Sequence, residues 1–267
     1  AINAVALVLL FNAISNQKNA ANYAQRAEQA VAASSRLERL VVGKTANKGP
    51  KKLAKGAKVI VCSRREDLLE SARLEALEAI QADLSIADGC SALAAALSGR
   101  PIDMLINNAG MSGNFGPGEP LDLALTDQAI FLNLNAPLHL IGHFLPGLLQ
   151  RPEAVVVNVT SGLAIAPRSG GPVYCATKAG LRSFTQSLRH NLRGTNVHVI
   201  EALPPVVDTA MTRGRVNGKK MSAQGCAAEI VDAIATNAKE ANVGMVKLLR
   251  LVYSISPALT RQIMIKF

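Results

Sequence analysis

Short apolar runs alternate with longer segments of helical periodicity along most of this chain. Val, Ile and Leu dominate the short runs, which predict β-strands at residues 39–42, 58–62, 102–106, 154–159 and 197–200. The helical pattern is clearest at residues 66–80, 128–149 and 176–192. Nearly continuous apolar strands separated by helices are typical of a parallel sheet covered on both faces. We therefore expect an α/β fold, a doubly wound parallel sheet whose ligand site lies at the carboxyl ends of its strands.

The N-terminal residues depart from this pattern. Residues 1–36 are rich in Ala and contain neither Gly nor Pro, which predicts a helical extension before a sheet domain at residues 37–267. Residues 1–17 carry no charge, but Asn3 and Asn12 interrupt them. The apolar part is short for a membrane span, which needs about 20 residues. A helix packed on the protein or on a neighbour and a membrane anchor both remain open.

Composition narrows the classes of partner. Hydrophobic residues make up 49% of the 267 residues, which is enough for a large core. Aromatic residues make up only 3% and Trp is absent, so the stacking platforms of single-stranded nucleic-acid binders are excluded and we expect no nucleic-acid partner. The formal net charge of +10 favours an acidic protein, an anionic membrane surface or a phosphate-bearing cofactor.

The cysteine and histidine patterns predict neither disulfides nor a metal site. Four cysteines lie far apart and form no Cys-x-x-Cys pair: Cys62, Cys90, Cys175 and Cys226. Such spacing is typical of free thiols in an intracellular, reducing compartment, and leaves an organellar or membrane-associated location open. His139 and His143 have a spacing that places both on one helix face, but no third ligand accompanies them.

The strongest chemical signal is the pair Tyr174 and Lys178. Residues four apart share one face of a helix, so the Lys178 ammonium is expected beside the Tyr174 phenol. A nearby positive charge favours the phenolate, which makes Tyr174 a candidate general acid for a carbonyl or base for an alcohol. Asn107 and Ser161 each follow a predicted strand and therefore belong to the same rim, where Ser161 could donate a hydrogen bond to the reacting oxygen.

Several ordered motifs resemble those of the short-chain dehydrogenase/reductase family. They are Asn107-Asn108-Ala109-Gly110, Asn133 in Phe-Leu-Asn-Leu-Asn-Ala, Ser161 in Val-Thr-Ser-Gly, the Tyr174-x-x-x-Lys178 pair, and the stretch from Pro204 to Thr209. Pro205 stands where the family has Gly. The resemblance covers residues from about 40 to 267. It implies a single Rossmann-type domain and an oxidoreductase that passes a hydride between a nicotinamide cofactor and a carbonyl carbon.

The resemblance also implies individual roles. Asn133, Ser161, Tyr174 and Lys178 match the family's catalytic tetrad, in which Lys178 also holds the nicotinamide ribose and Asn133 positions a water of a proton relay. The residues implied to line the cofactor cleft are Asn107, Ala109, Gly110, Pro204 and Thr209.

The glycine-rich cofactor loop is altered. The family's fingerprint after its first strand is Thr-Gly-x-x-x-Gly-x-Gly, and its candidate here is the segment from Val42 to Gly49. Gly43 and Gly49 keep the outer glycines, whereas Asn47 replaces the middle one. Asn tolerates a left-handed backbone better than other non-glycine residues, but its side chain would crowd a pyrophosphate.

Two residues favour a particular nucleotide. Arg64 follows the second predicted strand, where an acidic residue would bind the ribose hydroxyls of NAD, so an Arg there favours the 2′-phosphate of NADP(H). Asp83 resembles the family's adenine-contacting Asp. The alternative for Arg64 is a solvated helix start of mixed charge.

Two functions remain open from the sequence. The first is an NADP(H)-dependent oxidoreductase acting on a small carbonyl or alcohol substrate. The second is an accessory or structural subunit of a membrane-associated complex, derived from such an enzyme, with reduced or no activity and no need of a cofactor. Membrane or protein contacts would involve residues 1–36 and the C-terminal segment 246–267. A homo-oligomer is also open, and the family resemblance implies that its subunits would pair through the helices at 128–149 and 176–192.

Overall fold

A single parallel sheet organises the part of the chain that the structure describes. The structure is a computed structural model that describes residues 5–9, 58–66, 69, 70, 73, 78–113, 120–209, 212 and 220–266. Seven strands pair in the order β3-β2-β1-β4-β5-β6-β7, and every pair is parallel. Their bounds are β1 Val5–Leu9, β2 Lys58–Ser63, β3 Glu78–Gln81, β4 Met104–Asn107, β5 Ala154–Val159, β6 Val197–Leu203 and β7 Glu240–Asn242. The order reverses beside β1, as in doubly wound sheets.

Helices cover both faces of this sheet. Their bounds are α1 Ala87–Ala96, α2 Leu123–Ile130, α3 Ala136–Leu148, α4 Pro172–Asn191, α5 Ala223–Ala235, α6 Val246–Ile255 and α7 Pro257–Met264. A π-helical segment, Phe131–Asn135, joins α2 to α3, and a 3₁₀ turn, Gly162–Ala164, follows β5.

The alternation of side chains along each strand divides the core into two layers. In β5, Val156 packs with Leu140 of α3 on one face, whereas Val155 and Val157 pack with Ile234 of α5 on the other. Successive strand residues point to opposite faces, so an apolar run fills both layers. This explains why the buried strands show continuous rather than alternating hydrophobicity.

Most of the predicted elements are confirmed. The strands predicted at 58–62, 102–106, 154–159 and 197–200 correspond to β2, β4, β5 and β6. The helical pattern at 176–192 corresponds to α4, which ends one residue earlier at Asn191. The helix predicted at 66–80 is wrong at its end, where Glu78–Gln81 forms β3. Pairing with β2 and packing of Ala79 against the core outweigh the helical propensity of Glu, Ala and Gln.

The prediction of a helical extension is wrong for Val5–Leu9. These residues form β1, which pairs with β2 on one side and β4 on the other, so this part of residues 1–36 belongs to the sheet domain. A short, continuous apolar run suits a central parallel strand as well as a helix, and periodicity cannot separate the two. The remainder of residues 1–36 and the strand predicted at 39–42 lie outside the described residues.

The C-terminal helices show two different faces. Val246, Leu249 and Tyr253 of α6 pack towards Ile165 and Leu203. A line of large aliphatic side chains on the opposite face is exposed: Met245, Leu248, Leu251, Ile255, Leu259 and Ile263. Within the described ranges, none of the helices combines the length and apolar character required to cross a membrane.

Candidate active site

Ser161 lies just beyond the carboxyl end of β5. It is buried, and its hydroxyl oxygen accepts the Leu163 N–H at 3.1 Å, which caps the 3₁₀ turn Gly162–Ala164. The Gly162 N–H donates to the Pro204 carbonyl oxygen at 3.0 Å. The turn that holds Ser161 is therefore fixed to the end of the neighbouring strand β6.

Tyr174 and Lys178 lie on the first turns of α4, which begins at Pro172. Lys178 is only 3% exposed, and its Nζ donates to the Val159 carbonyl oxygen at 2.8 Å. The same nitrogen lies 5.8 Å from the centroid of the half-buried Tyr174 ring. Burial lowers the pKa of Lys178 from 10.5 to about 8, because water no longer solvates the ammonium. The predicted pair thus shares one helix face and points to the strand end that precedes Ser161.

Asn133 connects the loop after β4 to this helix. Its Oδ1 accepts the Met111 N–H and its Nδ2 donates to the Met111 carbonyl oxygen, each at 2.8 Å. Nδ2 also donates to Thr177 Oγ1 at 3.1 Å, and that hydroxyl in turn donates to the Tyr174 carbonyl oxygen at 2.9 Å. The side chain therefore acts as a tether here, and its expected part in a water relay stays a prediction. The π-helical segment that carries it is a feature often found at functional sites.

Gly110 leaves room beside these side chains. A Cβ at this position would lie 3.1 Å from Asn133 Oδ1 and 3.6 Å from Lys178 Nζ. Asn107, at the end of β4, donates through Nδ2 to Asn158 Oδ1 at 2.8 Å. Its own Oδ1 is buried without a hydrogen-bond partner among the described residues. The predicted Asn107, Ala109 and Gly110 thus lie at the end of β4 and in the loop after it, which passes close to Lys178 at Gly110, and their part in a cofactor cleft stays a prediction.

Arg64 and Asp83 come together at the ends of β2 and β3. The Arg64 guanidinium lies 3.8 Å from Asp83 Oδ2, and the Arg64 side chain is only 18% exposed. Asp83 also accepts the Ser85 N–H at 2.9 Å and the Ser85 hydroxyl at 2.7 Å. The low exposure of the Arg64 side chain argues against the alternative of a solvated helix start, because an unpaired surface Arg would extend into water.

The remaining predicted cofactor residues divide into two groups. Pro204 lies at the end of β6 against Gly162, and the Thr209 N–H donates to Thr212 Oγ1 at 3.2 Å. Gly43, Asn47 and Gly49 lie outside the described residues. Gly43 is the first glycine of the chain, so the glycine-rich fingerprint does not follow β1 directly.

Three site-adjacent residues were missed from the sequence. Thr160, Arg182 and Glu201 form a buried network behind Ser161 and Lys178. The available signal was a carboxylate inside an otherwise apolar strand, Val-His-Val-Ile-Glu-Ala-Leu. A buried charge in such a strand needs a partner, and that requirement points to a nearby cation.

The described residues fit a phosphate-bearing dinucleotide. A guanidinium lies at the end of β2, an ammonium nitrogen lies at the end of β5, and Gly110 keeps the space beside that ammonium free of a side chain. These groups lie at the carboxyl ends of the strands around the reversal of strand order, where such sheets bind their ligands.

Comparison with known proteins agrees with this geometry. The sequence model of the short chain dehydrogenase family matches residues 50–220. An uncharacterized oxidoreductase, DltE, of Bacillus subtilis (strain 168) is 41% identical over 180 residues, 65% of this chain and 71% of the relative. An NADP-dependent 3-hydroxy acid dehydrogenase, YdfG, of Salmonella typhi is 32% identical over 177 residues, 63% of this chain and 71% of the relative.

Solved structures share the fold. A short chain dehydrogenase from Burkholderia cenocepacia J2315, solved in complex with NADP, superposes with a TM-score of 0.71 at 22% identity, over 80% of this chain and 89% of that one. The match of the family model to residues 50–220, the ordered motifs and the seven-stranded sheet agree with one another. This chain belongs to the short-chain dehydrogenase family.

Proposed function

We propose that this protein is an NADP(H)-dependent oxidoreductase that interconverts a small carbonyl compound and the corresponding alcohol. The observation that carries this proposal is the placement of Lys178. Its buried nitrogen is fixed to the Val159 carbonyl oxygen at 2.8 Å and lies 5.8 Å from the Tyr174 ring centroid, while Ser161 follows the same strand end. A buried ammonium beside a phenol suits proton transfer to a reacting oxygen, because low dielectric surroundings strengthen its effect on the phenol.

This geometry supports the following roles. In the reductive direction the Tyr174 phenol donates its proton to the carbonyl oxygen, and the hydroxyl of Ser161 donates a hydrogen bond to that oxygen. The Lys178 ammonium stabilises the phenolate that remains. When bound, a nicotinamide cofactor would supply the hydride for the carbonyl carbon. Alcohol oxidation reverses these transfers, with Tyr174 as the base.

The described residues suggest how the cofactor would be held. Lys178 would donate to the nicotinamide ribose and Gly110 would line its cleft, while Arg64 would pair with the 2′-phosphate and Asp83 would contact the adenine. The low exposure of the Arg64 side chain and the NADP named in relatives support the phosphorylated cofactor. Gly43, Asn47 and Gly49 stay proposals for the pyrophosphate.

Titration with NADPH and NADH, followed by turnover of a panel of small aldehydes and ketones, tests the proposal. We expect NADPH to bind and at least one carbonyl to be reduced. Tyr174→Phe should abolish turnover with NADPH affinity nearly unchanged, whereas Tyr253→Phe on α6 serves as the matched control and should retain activity. Binding of neither nucleotide at millimolar concentration would contradict the enzyme and favour the accessory role. Substantial turnover by Tyr174→Phe would exclude Tyr174 as the acid.

A further inference from the structure

Glu201 is a carboxylate buried in β6, the strand between β5 and the edge strand β7. It lies in β6 with no exposed surface, flanked along the strand by Ile200 and Ala202. Burial raises the pKa of Glu201, and the charge of Arg182 opposes this rise. A buried carboxylate without hydrogen-bond donors is strongly unfavourable, so its partners define what this residue does.

The two oxygens of Glu201 contact two different catalytic elements. Oε1 accepts the hydroxyl of Thr160 at 2.8 Å, and Thr160 directly precedes Ser161. Oε2 accepts the Arg182 guanidinium at 2.6 Å. Arg182 follows Lys178 by four residues on α4, so it lies on the same helix face one turn further along.

We propose that Glu201 is a positioning residue that sets the separation between Ser161 and the Tyr174–Lys178 pair. This inference rests on the proposed oxidoreductase function and deepens it. One carboxylate holds the strand end that carries Ser161 and the helix that carries the acid and the ammonium. Hydrogen bonds to an ionised group are short and strong, so a bridge of this kind fixes both elements with little freedom.

A purely stabilising role explains the arrangement less well. A buried ion pair contributes little net stability compared with apolar residues of equal volume, because its desolvation is costly. A positioning role would instead affect the rate of catalysis, because small misplacements of reacting groups reduce that rate strongly. Oε1 of Glu201 binds Thr160, the residue before Ser161, and Oε2 binds Arg182, one helical turn after Lys178. This placement fits a role in positioning.

The network continues outwards and offers a matched control. Arg182 also donates to Glu240 of β7 at 3.1 Å, and Glu240 lies 3.1 Å from the Arg250 guanidinium of α6. Glu240 thus shares Arg182 with Glu201, but its carboxylate contacts Arg182 and Arg250 and makes no hydrogen bond to Thr160 among the described residues. Glu240→Gln removes a charge from the same network and leaves the hydrogen bond between Thr160 and Glu201 in place. It therefore separates a general loss of stability from the loss of that hydrogen bond.

The experiment compares Thr160→Val with Thr160→Ser, which keeps the hydroxyl, and with Glu240→Gln. Thr160→Val replaces the hydroxyl with a methyl group and removes its hydrogen bonds to Glu201 at 2.8 Å and to the Ala202 carbonyl oxygen at 3.2 Å. Thr160→Val should lower kcat by about 10-fold to 100-fold, the effect expected of a displacement of up to about 1 Å. KM and the NADPH dissociation constant should stay within about twofold, because the Thr160 hydroxyl faces Glu201 and the Ala202 carbonyl oxygen in the buried sheet. Thr160→Ser should restore kcat, and Glu240→Gln should leave it unchanged.

Two results would overturn the inference. One is a wild-type kcat in Thr160→Val, and the other is an equal loss of kcat in Glu240→Gln that follows the loss of thermal stability. Crystal structures of wild type and Thr160→Val provide a readout that does not need turnover. A change of about 0.5 Å or more in the distance from Ser161 Oγ to Lys178 Nζ supports positioning, and an unchanged distance contradicts it. A wild type without activity would refute the proposed function, while this distance would still decide the role of Glu201.

Discussion

The Nζ of Lys178 donates a 2.8 Å hydrogen bond to the carbonyl oxygen of Val159, the last residue of β5. Val159 lies two residues before Ser161. This contact therefore joins the carboxyl end of β5 to helix α4, which carries Tyr174. This hydrogen bond uses one of the three N–H donors of an ammonium that is almost completely buried among the described residues. The remaining donors can serve the ribose and the phenol, but the charge has lost most of its water. Two predictions depend on this environment.

The first concerns the pH dependence of carbonyl reduction. The pKa of Lys178 is about 8, so the ammonium that supports Tyr174 is present below this pH and is lost above it. We expect kcat/KM for reduction to fall as pH rises through about 8. A profile measured from pH 6 to pH 10 with saturating NADPH checks this. A rate that stays constant up to pH 10 would show that the Lys178 charge is not needed.

The second concerns stability. Since the folded pKa of Lys178 lies below its ordinary 10.5, the unfolded chain binds more protons between pH 8 and 10.5, and stability rises with pH across that window. Lys178→Met removes the buried charge, so we expect it to raise the free energy of unfolding at pH 7. The gain is about 1–3 kcal/mol after the lost hydrogen bond is subtracted. Urea unfolding at pH 7 and pH 11 measures it. A gain that persists unchanged at pH 11 would contradict the explanation.

The glycine next to this site gives the third prediction. A Cβ at Gly110 would press on Asn133 Oδ1 at 3.1 Å and approach Lys178 Nζ at 3.6 Å. Gly110→Ala should therefore lower kcat by about tenfold through displacement of these groups. Gly142→Ala on α3 is the control, because its Cβ would meet nothing within 4 Å. We expect Gly142→Ala to keep activity and to gain about 0.5–1 kcal/mol of stability. Equal activities of the two variants would show that Gly110 is dispensable.

Asn133 supplies the fourth prediction. It is fully buried and pairs with both the N–H and the carbonyl oxygen of Met111. Asn133→Leu leaves both backbone groups without these partners, and we expect a loss of about 2–4 kcal/mol in the free energy of unfolding. Asn133→Asp would place a carboxylate oxygen against the Met111 carbonyl oxygen in a fully buried site, so its loss should be at least as large. Chemical denaturation measures both variants. A stable Asn133→Leu would show that water can replace the tether.

The sequence predicted β2, β4, β5 and β6 and the shared helix face of Tyr174 and Lys178, because each of these depends on local order. Continuous apolar runs such as Val155 to Val157 predict buried parallel strands, and the four-residue spacing of Tyr174 and Lys178 predicts one helix face. The strand Val5–Leu9 was mistaken for helix because its identity depends on β2 and β4, which lie far along the chain. The tether between Asn133 and Met111 and the bridge from Glu201 to Thr160 and Arg182 were missed for the same reason. Both join residues that only the folded sheet brings together.

Arg64 gives the last prediction. Its guanidinium lies at the end of β2 beside Asp83, with most of its surface covered. If it pairs with a 2′-phosphate, Arg64→Ala should weaken NADPH binding by about 10-fold to 100-fold, the value of a strong charged hydrogen bond. NADH lacks that phosphate, so its affinity should change by less than about threefold.

Arg100→Ala is a control of equal charge, because Arg100 pairs with Glu78 at the opposite end of β3 from Asp83. Fluorescence titration with both nucleotides measures the ratio. An equal loss of NADPH and NADH affinity would mean that Arg64 acts only by holding Asp83, since selectivity for the phosphate requires the two affinities to diverge.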